Sequence, residues 1–168
     1  DKGYRVVAFD QLGCGTSNHP EDDSLWTVER YAEEAETVRA ALNLGTVHLY
    51  GQSWGTWFGI EFALAYPDNF KTLTLANGAG DVPHLASELK RLRNSLGPET
   101  EAMMQHHEAE GSEEHAEYQG AITILNYRHV CRLDVWPDAV NRSFDGMNLD
   151  PYKTIWGANE FTVTGNIK

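Results

Sequence analysis

The chain has 168 residues, 41% of them apolar and 23% charged, and carries a formal net charge of −12. That length and apolar content suffice for one folded domain with a core and exclude a disordered chain. So acidic a surface argues against a nucleic-acid partner, and no apolar run approaches the roughly 20 residues of a membrane span.

Lys2-Gly3 reads as the end of a helix, with Gly3 at the left-handed position that closes one. Residues 4–9 (YRVVAF) are β-branched and aromatic, which predicts a short buried strand. The stretch "DQLGCGTSNHPEDDS" after it is a loop. Within it, Gly13-Cys14-Gly15 lacks the third glycine of a dinucleotide fingerprint. Cys14 reads as a small structural residue. With Cys131 it forms neither a disulfide framework nor a metal spacing, which points to a reducing, cytoplasmic setting. No segment reads as a secretion signal.

A helix is predicted from the N-cap Thr27 to about Leu42, with Val28, Tyr31, Ala32, Ala35, Val38 and Leu42 on one face. Asn43 and Gly45 stop it. Residues 46–50 (TVHLY) predict a second strand, 54–66 a second helix ended by Pro67, and 70–76 (FKTLTLA) a third strand. Alternating strands and helices at this spacing predict an α/β fold with a parallel sheet. Both faces of such a sheet need covering, which two helices alone do not manage. Beyond Gly80 the pattern is helical, with an acidic, histidine-bearing middle. The expected organisation is an α/β core over 1–80, an α-helical cap over 81–160, and the start of a return to the core over 161–168.

Gly51-Gln52-Ser53-Trp54-Gly55 matches G-x-S-x-G at the junction of a strand with a helix, the pattern of a nucleophile elbow. A sharp reversal there exposes the serine hydroxyl and leaves little room for side chains two positions to either side, hence Gly51 and Gly55. The helix behind it aims unpaired N–H groups at the reaction site, so the Trp54 N–H is an expected oxyanion donor. Ser53, the expected nucleophile, needs a base and an orienting acid, which in this fold follow later strands in the order Asp or Glu, then His. No later strand precedes Lys168. His84, His106, His107, His115 and His129 belong to the helical stretch and are not assigned to catalysis; His48 reads as structural. The expectation is an internal piece of a longer enzyme, with little activity of its own. The cluster His106, His107 and His115 does not follow H-E-x-x-H and reads as a solvated helix face, so neither metal nor cofactor is expected.

The stretches "FDQLGCGTS", "GQSWGTW", "HVCRLDVWP" and "WGANEFTVTG" together resemble proline iminopeptidases of the tricorn-associated type. These are serine aminopeptidases of the α/β-hydrolase fold. The resemblance implies a partial α/β-hydrolase core with a helical cap. It also implies release of N-terminal proline, or similar residues, from short peptides with a free N-terminus. Cap carboxylates bind the substrate amine in that family, which places Glu160 of "ANEF" as one anchor and Asp134 of "RLDVWP" as a second. A charge-assisted hydrogen bond from the cationic amine to a carboxylate suits that task in the absence of a metal. The chain departs from the family at Thr56 and Ala158, which stand where glycine and proline are usual; Thr56 is expected to narrow the approach to Ser53. The family's His-Gly-Gly-Pro-Gly segment, which supplies a second oxyanion donor, has no counterpart in the chain. Two other readings stay open: a general esterase or amidase with no amine anchor, and a non-catalytic binding protein on the same scaffold. Oligomeric state is not legible.

Overall fold

The computed structural model describes residues 3–167, so Lys2 of the expected helix end lies outside the described residues. It divides into two compact units. The first comprises Asp1–Gly80, Gly146–Ile155 and Asn166–Lys168, and the second Asp81–Asp145 and Trp156–Gly165.

In the first unit, α1 (Val28–Ala41) begins at Thr27, whose hydroxyl accepts the Arg30 N–H at 3.2 Å. Its Ala32 and Ala35 pack on Phe62 of α2 (Trp54–Ala65), with Leu49, Phe58, Tyr66 and Phe70 around them. Small residues on α1 let the two helices approach closely, and the large ring fills the space. Of the predicted apolar face, only Leu42 is left exposed.

β1 (Val47–Gln52) and β2 (Phe70–Ala76) pair in parallel, with His48 opposite Thr72 and Gln52 opposite Ala76, and an irregularity between Val47 and His48. The crossover between them is α2, as a parallel pair requires.

The first of the three expected strands is absent among the described residues. Residues 4–9 form no ladder, and Tyr4 and Val6 are 71% and 87% exposed. A run of β-formers becomes a strand only by bonding to a neighbour. Here an apolar cavity of about 1050 Å³, lined by Val7, Phe9, Val38, Leu49 and Phe58 among others, lies between this run and β1.

The second unit is helical: α3 (Val82–Asn94), α4 (Pro98–Glu110), α5 (Ala116–His129) and α6 (Asp138–Asp145). Met104, Tyr118, Ala121, Leu125 and Phe161 form its core. Residues 146–155, read from the sequence as part of the cap, group instead with the first unit. The Asn148 amide donates to the Gly13 carbonyl at 2.9 Å, and Pro151 packs beside Gly13. Most of α7 (Leu149–Trp156) therefore belongs with the core, and only the loop after it returns to the helical unit.

No helix of the described residues is long and apolar enough to cross a membrane.

Candidate active site

Ser53 stands alone between the last residue of β1 and the first of α2, at φ 52° and ψ −117°. A positive φ is uncommon for a residue with a side chain and costs on the order of 1–3 kcal/mol, so the surroundings must impose it. They do so from both sides. Ser53 N–H donates to the Ala76 carbonyl of β2 at 3.0 Å, and its own carbonyl accepts the Thr56 N–H at 2.8 Å. The side chain is exposed and makes no capping bond to the helix it precedes. The hydroxyl is thus free for a reaction, beside first-turn N–H groups of Trp54 and Gly55 that have no acceptor within the helix.

The two glycines of the motif are not equivalent. A Cβ on Gly51 would lie 2.0 Å from the Gly55 carbonyl oxygen, whereas one on Gly55 meets only the Phe58 ring, at 3.7 Å. Crowding at the turn therefore explains Gly51 and not Gly55. Gly51→Ala is expected to lose about 1–3 kcal/mol and to displace Ser53. Gly55→Ala is expected to be neutral or to gain up to about 1 kcal/mol from helix propensity. Equal losses in the thermal unfolding of the two variants would contradict this.

Thr56, expected to narrow the approach to Ser53, points elsewhere. It is 2% exposed, and its hydroxyl would lie 2.1 Å from a Cβ on Gly78. The threonine occupies space that a glycine across the turn leaves open.

Trp54 is held by residues that the sequence reading did not single out. Its indole N–H donates to Gln11 Oε1 at 3.0 Å, and its ring meets Tyr31 edge-on with centroids 5.5 Å apart. The Tyr31 hydroxyl donates to the Leu12 carbonyl at 3.0 Å, and the Leu12 N–H donates to Glu34 at the same distance. The loop after residues 4–9 is thereby fastened over the start of α2. Gln11 lies within "DQLGCG" and Tyr31 on the predicted apolar face of α1; only folding shows that both serve Trp54. In the same loop Asp10 accepts both the N–H and the hydroxyl of Thr16, which holds its carboxyl below the usual range. Burial, helped by the Asp10 and Glu34 carboxylates, pushes the Cys14 thiol up, in keeping with a structural residue.

Among the described residues no imidazole or carboxylate hydrogen-bonds the Ser53 hydroxyl. His48 is exposed and pairs with the Thr72 hydroxyl on the neighbouring strand at 2.8 Å.

Glu160 and Asp134 both lie in the second unit, on separate loops. Glu160 belongs to the loop after α7, which Gly165 N–H closes onto the Trp156 carbonyl at 3.0 Å. Buried Asn159 accepts the N–H of Phe161 at 2.9 Å and of Thr162 at 3.0 Å, an Asx turn that fixes the backbone on either side of Glu160. Phe161 is in turn buried beneath the Arg93 guanidinium, 4.7 Å from its ring centre. The Glu160 side chain keeps solvent access, and no cation pairs with its carboxylate among the described residues. Protein packed around it nevertheless removes enough hydration to raise its pKa above the usual glutamate range. A carboxylate without a cationic partner among the described residues is suited to receive a cation. Asp134 is exposed, in a turn held by the Trp136 indole on the Cys131 carbonyl at 3.0 Å.

Residues 1–113 match the family model of the α/β-hydrolase fold. The chain is 34% identical to a proline iminopeptidase of Heyndrickxia coagulans over 99% of this chain and 58% of that protein. It is 33% identical to a proline iminopeptidase of Flavobacterium johnsoniae over 99% and 57%. Among solved structures, it superposes on the proline iminopeptidase of Mycobacterium smegmatis with a TM-score of 0.79 at 34% identity, over 94% of this chain and 54% of that one. It superposes on VinJ with a TM-score of 0.84 at 33% identity, over 94% and 55%. The chain thus spans little more than half the length of the curated relatives it matches.

Proposed function

The chain belongs to the α/β-hydrolase family, and from that premise we propose that Ser53 is the nucleophile of a serine aminopeptidase releasing N-terminal proline, or a similar residue, from short peptides. The observation that carries the reading is the Ser53 backbone: a strained, exposed serine at the head of a helix, clamped by hydrogen bonds on both sides. Similarity to the proline iminopeptidases supports the choice of substrate.

In this mechanism Ser53 Oγ attacks the carbonyl carbon of the first residue while a general base takes its proton. The carbonyl oxygen becomes an oxyanion, held by the Trp54 N–H. Collapse breaks the C–N bond, and the same proton passes to the leaving amine. Water then hydrolyses the ester on Ser53, releasing the free amino acid. None of the described histidines hydrogen-bonds Ser53, so the base and its orienting acid are not among the contacts of the described residues. Glu160 takes the substrate's cationic amine, with Asp134 as a second anchor. That pairing supplies the countercharge the Glu160 carboxylate lacks among the described residues, and it rejects substrates without a free N-terminus.

A direct test compares proline arylamide with its N-acetyl derivative on the full-length protein. Acetylation is expected to remove nearly all turnover, and Glu160→Gln to lower kcat/KM for the free amine by about 10–100-fold, the worth of one charge-assisted hydrogen bond. Equal turnover of the two substrates would instead assign a general esterase or amidase.

A further inference from the structure

We propose that His107, His115 and Glu117 of the helical unit form a binding site for a divalent transition metal of the Zn²⁺ class. The three come from the last turn of α4, the N-cap of α5 and the first turn of α5. One donor atom from each lies within 4.8 Å of the other two. The expectation of a solvated helix face holds for His106, which is exposed. It fails for His107, which is 8% exposed.

His107 is the fixed member. Its Nδ1 is 2.8 Å from the Ser112 hydroxyl, which itself makes a long 3.5 Å contact as donor to the His107 carbonyl. In the tautomer that carries its proton on Nδ1, that hydroxyl oxygen accepts Nδ1–H and Nε2 is left with a bare lone pair. A hydrogen bond on the far ring nitrogen is the usual partner of a metal-bound histidine, fixing tautomer and ring direction. The bare Nε2 lies 3.7 Å from Glu117 Oε2. Two acceptors then face each other, and a cation between them resolves the conflict.

The other two members can close. Donors around a four-coordinate zinc stand about 3.4 Å apart, given bonds of about 2.1 Å. His115 and Glu117 are exposed and need to move by only about 1–1.5 Å. The His115 ring is stacked on His107, centroids 4.7 Å apart and planes 20° from parallel, so it must tilt for the lone pairs to converge. Its Nδ1 accepts the Glu117 N–H at 3.3 Å, a bond long enough to yield. Charge favours the ion as well. No lysine or arginine lies between Arg93 and Arg128, while Glu110, Glu113, Glu114 and Glu117 crowd the same stretch. Two imidazoles and a carboxylate suit Zn²⁺ rather than a hard cation such as Mg²⁺. Bound there, the ion fastens the end of α4 to the start of α5.

The test is calorimetric titration of chelator-treated protein with Zn²⁺, alongside its thermal unfolding. The expected result is one Zn²⁺ per chain and a Tm that rises with added metal. His115→Asn keeps an N-cap oxygen while removing the imidazole, and should raise the dissociation constant at least tenfold and abolish the Tm rise. Glu117→Gln should act in the same direction. Ser112→Ala should weaken binding about tenfold through the His107 tautomer, and the exposed His106→Ala should change nothing. Absence of Zn²⁺ binding, or the same affinity in His115→Asn as in His106→Ala, overturns the proposal.

Discussion

Ser53→Ala is expected to abolish labelling by a fluorophosphonate probe and to lower turnover of proline arylamide by at least about 10⁴-fold. The size follows from the role assigned to the hydroxyl. An acyl-enzyme mechanism without its nucleophile keeps only the oxyanion donor and substrate positioning, and losses in such enzymes reach about 10⁶-fold. The substitution removes one exposed oxygen that makes no capping bond, so the fold should be unaffected and the loss purely chemical. Alanine also tolerates the positive φ no worse than serine does. Full-length protein that labels equally well with and without the hydroxyl would remove Ser53 from the reaction. A wild-type protein that never labels would favour a binding protein on the same scaffold.

Arg93→Met is expected to destabilise the helical unit by about 3–5 kcal/mol, more than any other single change considered. Arg93 is 2% exposed on α3. Its Nε and Nη2 donate to the two oxygens of Glu101 at 2.7 and 2.6 Å, and its Nη1 to Glu108. Burial works against its charge, yet the Glu101 and Glu108 carboxylates outweigh this and raise the guanidinium pKa further. Arg93 in turn is the main reason Glu101 titrates below the usual range. Glu108 also accepts the Tyr118 hydroxyl at 3.1 Å, and burial raises that phenol well above its ordinary pKa. Removing the cation leaves two carboxylates without compensation, the costly case for a buried ion pair. Replacing all three charges, as in Arg93→Met with Glu101→Leu and Glu108→Leu, should recover much of the loss. Urea unfolding measures both. A cost below about 1 kcal/mol for Arg93→Met would mean that water still reaches the carboxylates. Because the guanidinium also covers Phe161, next to Glu160, the single variant should loosen the loop proposed to hold the substrate amine.

Much of the core was legible because its signals are local. Thr27 caps α1 as its side chain and position require, residues 70–76 are a strand, and the serine motif falls at a strand-to-helix junction. Residues 4–9 carry equally strong β-forming composition and are not a strand among the described residues. Composition measures how well a segment fits a sheet, while a strand also needs a neighbour to bond. The helical region was recognised as helical, but its organisation was not. Residues 146–155 read as helix and join the first unit through Asn148 and Pro151, contacts more than a hundred positions distant in sequence.

The sequence by itself determined α1, β1, α2 and β2 and the place of the serine between them, since capping, periodicity and the G-x-S-x-G turn depend on residues a few positions apart. Tertiary structure alone decided what surrounds them: Gln11 and Tyr31 fastening Trp54, Gly78 making room for Thr56, and Arg93 buried between two glutamates with its guanidinium over Phe161, next to Glu160. The physical reason is one of range. Backbone preferences and caps act within a helical turn, whereas desolvation, close packing and the pairing of buried charges depend on which distant residues the fold brings together.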